Sequence, residues 1–272
     1  YTHYFSPSIR MGRCAVAAFS RWVGSQVDCM IAPTGKVRRL LLGYGLRCPV
    51  MVVPTGIDLR RFRKGLDPIR RAVLRSSLGI PAENTVLVCV GRLAEEKNIQ
   101  ELLKYRALLG QAPVTLLLVG GGPDRDRLEQ VARDLHLEAP AVIFAGMVPP
   151  EEVPDWYRLG DLFVSASSSE TQGLTYIEAL ASGVPALCRA DPCLEGVIQD
   201  GENGWQYHDG QEFRRRLEGF LTHPEAWDSL SRRAAESAEA FSAERFAQQV
   251  EQVYQLQLAR RKRYYDLQGV TA

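Results

Sequence analysis

The sequence predicts an α/β protein built on a doubly wound parallel sheet. Three observations carry that expectation: short β-branched or leucine-rich runs recur along the chain, helical stripes separate them, and glycines follow several of the runs. Runs with no polar face, such as Val114–Val119, suit strands covered by helices on both sides. The 272 residues are 46% apolar and 24% charged, which excludes disordered, collagenous and disulfide-scaffold classes. The longest apolar runs fall far short of the ~18 residues that span a bilayer.

Each element follows in order. The spacing of Cys14/Ala15, Ala18/Phe19 and Trp22/Val23 predicts a helix over 10–23, and 29–32 is a short strand. A second helical pattern at 36–42 ends before Gly43 and Gly45, and 50–53 is β-branched enough for another strand. Two strands cannot make a covered parallel sheet, so this stretch is expected to be the end of a larger α/β domain. The chain opens on Tyr1 without an initiator Met or a charged-then-apolar leader, which is read as no secretory signal and a missing upstream segment. Residues 54–68 are turn-rich and basic and read as a linker. Strand 86–90, a loop to Asn98, helix 99–109 and strand Val114–Val119 then set a βαβ rhythm. Gly120–Gly122 opens another helix, with Pro123 in its first turn and Leu128, Val131, Ala132 and Leu135 on its apolar stripe. Strands at 142–145 and 162–166 flank a short helix at 151–158, helix 175–182 stops at Gly183, and 186–188 is a further strand. Residues 210–265 are helical apart from breaks near Pro224 and Ser242.

Six cysteines (Cys14, Cys29, Cys48, Cys89, Cys188, Cys193) form no Cys-x-x-Cys pair and read as packing thiols of a reducing compartment. The net charge of +1 conceals an asymmetry, since residues 1–75 hold 14 Lys/Arg against 3 Asp/Glu. That cationic stretch, with Phe5, Phe19 and Trp22 among the charges, suits an anionic lipid surface, a solvated face, or nucleic acid; no nucleic-acid motif accompanies it.

Three constellations carry chemistry. In Gly91-Arg92-Leu93-Ala94-Glu95-Glu96-Lys97-Asn98 a glycine at a strand end permits close backbone approach, and Arg92 with Lys97 can bracket a diphosphate; alone, the segment reads better as a solvated turn, and its place in the sheet is what favours the diphosphate. Gly120-Gly121-Gly122-Pro123 lacks the spacing of a dinucleotide fingerprint and reads better as a tight turn bordering the site. In Glu170-Thr171-Gln172-Gly173-Leu174-Thr175-Tyr176-Ile177-Glu178 a helix begins near Gly173. The amides of Gly173, Leu174 and Thr175 are first-turn donors suited to phosphate. Glu170 and Glu178 lie too far apart along the helix for a shared-proton pair and suit two hydroxyl-bearing parts of one ligand. The bland alternative makes Glu170 a capping acid and Glu178 a surface residue.

Taken together these residues resemble the donor half of the retaining GT-B glycosyltransferases with a Glu-x7-Glu motif. The resemblance covers residues 52–208 and includes Val53-Pro54-Thr55-Gly56-Ile57-Asp58, Val119-Gly120-x-Gly122-Pro123, Gly146-x-Val148, Gly183-x-Pro185 and Asp200-Gly201-x-Asn203-Gly204. It implies a GT-B fold with a complete C-terminal Rossmann-like donor domain and the truncated end of an N-terminal Rossmann-like acceptor domain. The implied division is 1–56 acceptor remnant, 57–75 basic linker, 76–240 donor domain and 241–272 a helix returning to the acceptor side. Arg92 and Lys97 would hold the diphosphate beside Gly91, and Glu170 with the backbone of Gly173, Leu174 and Thr175 would hold the donor sugar and distal phosphate. Glu178 would take the ribose and the main chain around Val148 the base. Catalytic roles are thereby expected of Arg92, Lys97 and Glu170. Where many relatives have a glycine pair, this chain has Cys193-Leu194-Glu195-Gly196, which puts the sugar contacts of that loop in question.

Tyr1-Thr2-His3-Tyr4-Phe5 before a basic helix looks like the subgroup of bacterial 1,2-diacylglycerol 3-glucosyltransferases, and His3 is a candidate on the acceptor side. His136, His208 and His223 read as structural or solvated. The expectation is a peripheral, cytoplasmic enzyme at the inner membrane face that moves a hexose, glucose foremost, from a UDP-sugar to a membrane lipid such as diacylglycerol, with no metal or cofactor and no nucleic-acid partner; a fragment of this extent should be inactive alone. A soluble-sugar or polysaccharide acceptor, a non-catalytic nucleotide-sugar module and an NAD-dependent enzyme are the alternatives, the last disfavoured by the absence of a Tyr-x-x-x-Lys pair.

Overall fold

The computed structural model describes residues 9–267. They fall into two compact units, Tyr1–Gly56 with Phe241–Ala272, and Ile57–Ala240. The first unit has 12 Lys/Arg against 4 Asp/Glu and the second 21 against 28, so the sign of charge follows the units.

In the first unit, α1 (Ile9–Ser25), β1 (Met30–Ala32), α2 (Gly35–Gly43) and β2 (Val50–Val52) alternate. The strands pair in parallel, Met30 opposite Val50. Thr34 caps α2, its hydroxyl accepting from the Val37 amide at 3.3 Å. At Gly56 a Cβ would lie 2.5 Å from the Ser242 carbonyl oxygen and 2.7 Å from the Phe246 Cβ, so only glycine lets the strand exit pass the start of the chain's last helix.

The second unit begins with α3 (Arg60–Arg63) and α4 (Pro68–Ser77). Then come β3 (Thr85–Val90), α5 (Ile99–Leu108), β4 (Val114–Val119), α6 (Arg125–Asp134), β5 (Val142–Gly146), α7 (Val153–Leu159) and β6 (Leu162–Ser165). The unit closes with α8 (Leu174–Ala181), β7 (Ala186–Arg189), β8 (Gly204–Tyr207), α9 (Gly210–Thr222) and α10 (Trp227–Ser237); the last helix of the chain, α11, is Ala243–Leu267. The six strands lie in the order β5-β4-β3-β6-β7-β8 with every pair parallel. Strand β4 is buried along its whole length, as a run that is apolar but for Thr115 requires; the Thr115 hydroxyl accepts from Asn84 Nδ2 at 3.0 Å. The chain leaves β3 toward β4 and β5, then returns to lay β6 on the other side of β3. The carboxyl ends of β3 and β6 therefore flank the switch point, where open α/β sheets bind ligands.

Four features depart from the sequence reading. Residues 57–75, expected to be linker, hold α3 and most of α4 and belong to the second unit. Their arginines are not idle: Arg71 and Arg75, one helical turn apart, converge on Asp161 at 2.6 and 2.8 Å, and the same carboxylate accepts from the Val86 amide at 2.8 Å. Pro123 precedes α6 rather than entering its first turn. Strand β8 gives little β-signal because it starts at Gly204, where a Cβ would meet the Ala186 carbonyl oxygen at 2.1 Å. All six cysteines are free, but Cys14 is exposed rather than packed.

Candidate functional site at the sheet switch point

Two loops meet at the switch point. After β3 the chain passes Gly91 at φ +149°, where a Cβ would meet nothing within 4 Å; the glycine keeps backbone open to a ligand. After β4 the opposite holds. A Cβ on Gly120 would lie 1.9 Å from the Gly91 carbonyl oxygen, and one on Gly122 2.2 Å from that of Leu93. The second loop thus stacks on the first, tied by Gly91 N–H to Val119 O and Leu93 N–H to Gly121 O, both 2.9 Å. Its glycines serve that stacking, as a bordering turn would.

The first loop closes in a 3-10 turn, Glu95–Lys97, ended by Asn98 at φ +51°. Lys97 Nζ meets Glu170 Oε1 at 2.5 Å, which unites two of the sequence candidates. Ser167 and Ser169 add hydroxyl donors to the Glu96 carbonyl at 3.4 and 3.2 Å, pinning the loops after β3 and β6 together. Arg92 is exposed, so the two cations differ: Arg92 faces solvent, whereas the charge of Lys97 is matched by Glu170.

Helix α8 starts beside this pair. Gly173 caps it at φ +71°, and a Cβ there would strike the Tyr176 ring at 2.3 Å. Tyr176 is fully buried with its hydroxyl 3.0 Å from Ser165 Oγ, fixing the amides of Leu174 and Thr175 at the helix start. Glu178 is half-buried, not a surface residue: Tyr157 donates to its Oε2 at 2.8 Å. Burial raises the Glu178 carboxyl pKa, while the Tyr157 hydrogen bond and the Arg61 charge pull it down. Val148 lies in the loop after β5, tied back by Gly120 N–H to Gly146 O at 2.8 Å.

A second polar group escaped the sequence reading. Arg189, at the end of β7, places Nη1 2.7 Å from both oxygens of Glu101. Asn98 Nδ2 and Tyr105 Oη donate to the same carboxylate at 2.7 and 3.0 Å. Desolvation and Glu101 push the Tyr105 hydroxyl up to about 12. An acid in the first turn of α5 looked like an ordinary helix-dipole residue, and nothing in the spacing of Glu101 and Arg189 foretold their meeting. Beyond β7, Asp191 caps a turn by accepting from the Cys193 amide at 2.8 Å, with Cys193 and Leu194 buried. Where a glycine pair would expose main chain, this chain turns a side chain inward. His3 and the Tyr1-to-Phe5 segment lie outside the described residues. Among the described residues no three His, Cys, Asp or Glu side chains cluster as a metal site, and no helix is long and apolar enough to cross a membrane.

A parallel sheet with stacked glycine loops, a cation–carboxylate pair and a helix N-terminus near its switch point is a Rossmann-like arrangement of the class whose ligands lie at the carboxyl ends of the strands. Residues 70–241 match the model of the family described as glycosyl transferases group 1, and the chain belongs to that family. Its fold is that of GT-B glycosyltransferases. It is 35% identical to the alpha-monoglucosyldiacylglycerol synthase of Streptococcus pneumoniae over 93% of this chain and 58% of that protein. The enzyme of that name from Acholeplasma laidlawii is 29% identical over 93% of this chain and 66% of its own length. This chain therefore spans less than two thirds of either relative. Anabaena HepE, solved with UDP and glucose, superposes with a TM-score of 0.80 at 21% identity, over 94% of this chain and 68% of that one.

Proposed function

We propose that the chain is the nucleotide-sugar-binding part of a retaining hexosyltransferase that moves glucose from UDP-glucose to the hydroxyl of a membrane lipid such as diacylglycerol. The observation that carries the reading is the Lys97–Glu170 pair at the start of α8. A diphosphate arriving there draws Lys97 away from Glu170 and releases that carboxylate to accept from sugar hydroxyls. Arg92, Lys97 and the amides of Leu174 and Thr175 then face the charge that develops on the leaving diphosphate, which is electrostatic stabilisation of the oxyanion type. With retention, the departing phosphate itself can take the acceptor proton, so the chain supplies no nucleophile. Glu178 receives the ribose and the Val148 loop the base. Two relatives named as glucosyldiacylglycerol synthases support the glucose and lipid assignments, and HepE with UDP and glucose supports the donor. The excess of basic residues in the first unit supports action at an anionic, inner membrane face.

Thermal-shift titration of the 272-residue chain with UDP, ADP, GDP and NAD tests the donor, because a ligand selective for the native state raises its melting point. UDP is expected to give the largest shift, and Lys97→Ala to abolish most of it while leaving the ligand-free melting point near the wild-type value. A shift with NAD and none with UDP overturns the reading. Product analysis of the whole gene product with UDP-glucose and diacylglycerol, sterol or soluble sugars identifies the acceptor.

A further inference from the structure

Glu178 is acted on by two side chains that none of the motifs contains. Tyr157 in α7 is fully buried and donates to Glu178 Oε2 at 2.8 Å. Its ring packs between Phe62 and Phe163, with centroids 6.3 and 5.9 Å away, so the phenol has little freedom. A buried tyrosine hydroxyl needs an acceptor, and Glu178 supplies it. Arg61 in α3 donates from its guanidinium to the Pro150 carbonyl oxygen at 2.9 Å, in the loop that includes Val148. It is also near enough to Glu178 to favour the ionised carboxylate.

We propose that Tyr157 is a positioning residue of the nucleoside subsite: by occupying Oε2 it fixes the Glu178 carboxylate and leaves Oε1 to the ribose hydroxyls, and so sets a preference for ribonucleotides over deoxyribonucleotides. The inference deepens the nucleotide-sugar reading and rests on it. The terminal torsion of a glutamate is broad and roughly two-fold. Without an anchor the carboxylate must be ordered when ligand binds, and that ordering subtracts from affinity. Tyr157 supplies the order in advance, through a neutral donor that leaves the charge of Glu178 intact. Against the burial that raises its pKa, the Tyr157 hydrogen bond and the Arg61 charge both favour the ionised carboxylate, which is purely an acceptor. A diol then finds a fixed acceptor for both its donors, whereas a sugar lacking the 2′-hydroxyl has only the 3′-hydroxyl to donate and gains less from that fixity.

The test is calorimetric binding of UDP and 2′-deoxy-UDP to the 272-residue chain and its variants. The wild type is expected to favour UDP. Tyr157→Phe, which keeps the ring and its packing, is expected to weaken UDP about tenfold and 2′-deoxy-UDP distinctly less, so that the ratio between them falls, with a melting point close to wild type. Phe62→Leu loosens the packing but keeps the hydroxyl, so its melting point should fall while the preference survives. Retention of the wild-type ratio in Tyr157→Phe overturns the inference, as does loss of the ratio in Phe62→Leu or a wild type that does not distinguish the two ligands. A wild type that binds no UDP overturns the parent reading and this inference with it.

Discussion

Glu178 shows how a single side chain can be held against the preference of its own charge. Burial is the largest influence on its carboxyl and raises its pKa above 4.5 in the fold; the Tyr157 hydrogen bond and Arg61 oppose it without cancelling it. A folded-state pKa above the unfolded one means that the fold holds the proton more tightly. The associated stability is complete below the unfolded value and is lost as pH rises through the folded value. At neutral pH the ionised carboxylate is therefore a local cost, consistent with a group kept for binding rather than for stability. Glu178→Gln preserves an oxygen acceptor for Tyr157 and has no charge to desolvate. Its melting point relative to wild type should climb as the pH is raised from about 4 to about 8, while its affinity for UDP falls. A difference between variant and wild type that stays flat or falls across that range would contradict this account, and paired thermal melts in a pH series decide it.

At the scale of elements, the two glycine loops divide one task, and the structure predicts that they fail differently. Gly120→Ala forces a Cβ to within 1.9 Å of the Gly91 carbonyl oxygen at φ +135°; neither backbone can yield without undoing the hydrogen bonds between the loops, so a loss above about 3 kcal/mol is expected. Gly91→Ala meets nothing within 4 Å and suffers only its φ of +149°, about 1–2 kcal/mol. Its added methyl, however, enters open space beside Arg92, where the proposed function puts the diphosphate. Chemical denaturation should rank Gly120→Ala as the less stable, and UDP titration should show Gly91→Ala folded yet weakened in binding. The reverse ranking would mean that the loops do not stack as described. These loops could be located from sequence because each follows a largely apolar strand, and a run such as Val114–Val119 has little alternative to a covered strand. Helix α4 could not: Arg71 and Arg75 look like solvated charge until Asp161, far along the chain, is brought beneath them. The candidate site was legible to the same degree. Lys97 and Glu170 stood out because each lies in a loop at a strand end, whereas Tyr157, Glu101 and Arg189 fill ordinary positions in helices or at a strand terminus and acquire meaning only through partners that tertiary structure supplies.

Across the whole molecule, charge and exposed aromatic surface coincide. The unit with 12 Lys/Arg against 4 Asp/Glu also carries Phe19 and Trp22 on α1, 64% and 62% exposed, with ring centroids 5.9 Å apart. Three residues apart, they share one helix face, and Arg21 beside them is anchored by Nη1 to the Tyr44 carbonyl oxygen at 2.9 Å. Large rings left in water on a basic unit suit the interface of an anionic leaflet, where each nearby cation contributes about 1 kcal/mol and the rings enter the headgroup boundary. The two contributions separate experimentally, because salt screens the first and leaves the second nearly intact. Replacing Phe19 and Trp22 together by alanine should lower co-sedimentation with phosphatidylglycerol-rich vesicles about tenfold. The residual binding should be removed by molar salt, and wild-type binding should persist there in part. UDP affinity should stay at its wild-type value, since neither residue belongs to the unit Ile57–Ala240 that holds the proposed nucleotide site. Equal sedimentation of variant and wild type at all salt concentrations would leave the rings without a membrane role, and no sedimentation of either at low salt would leave the basic unit a solvated face.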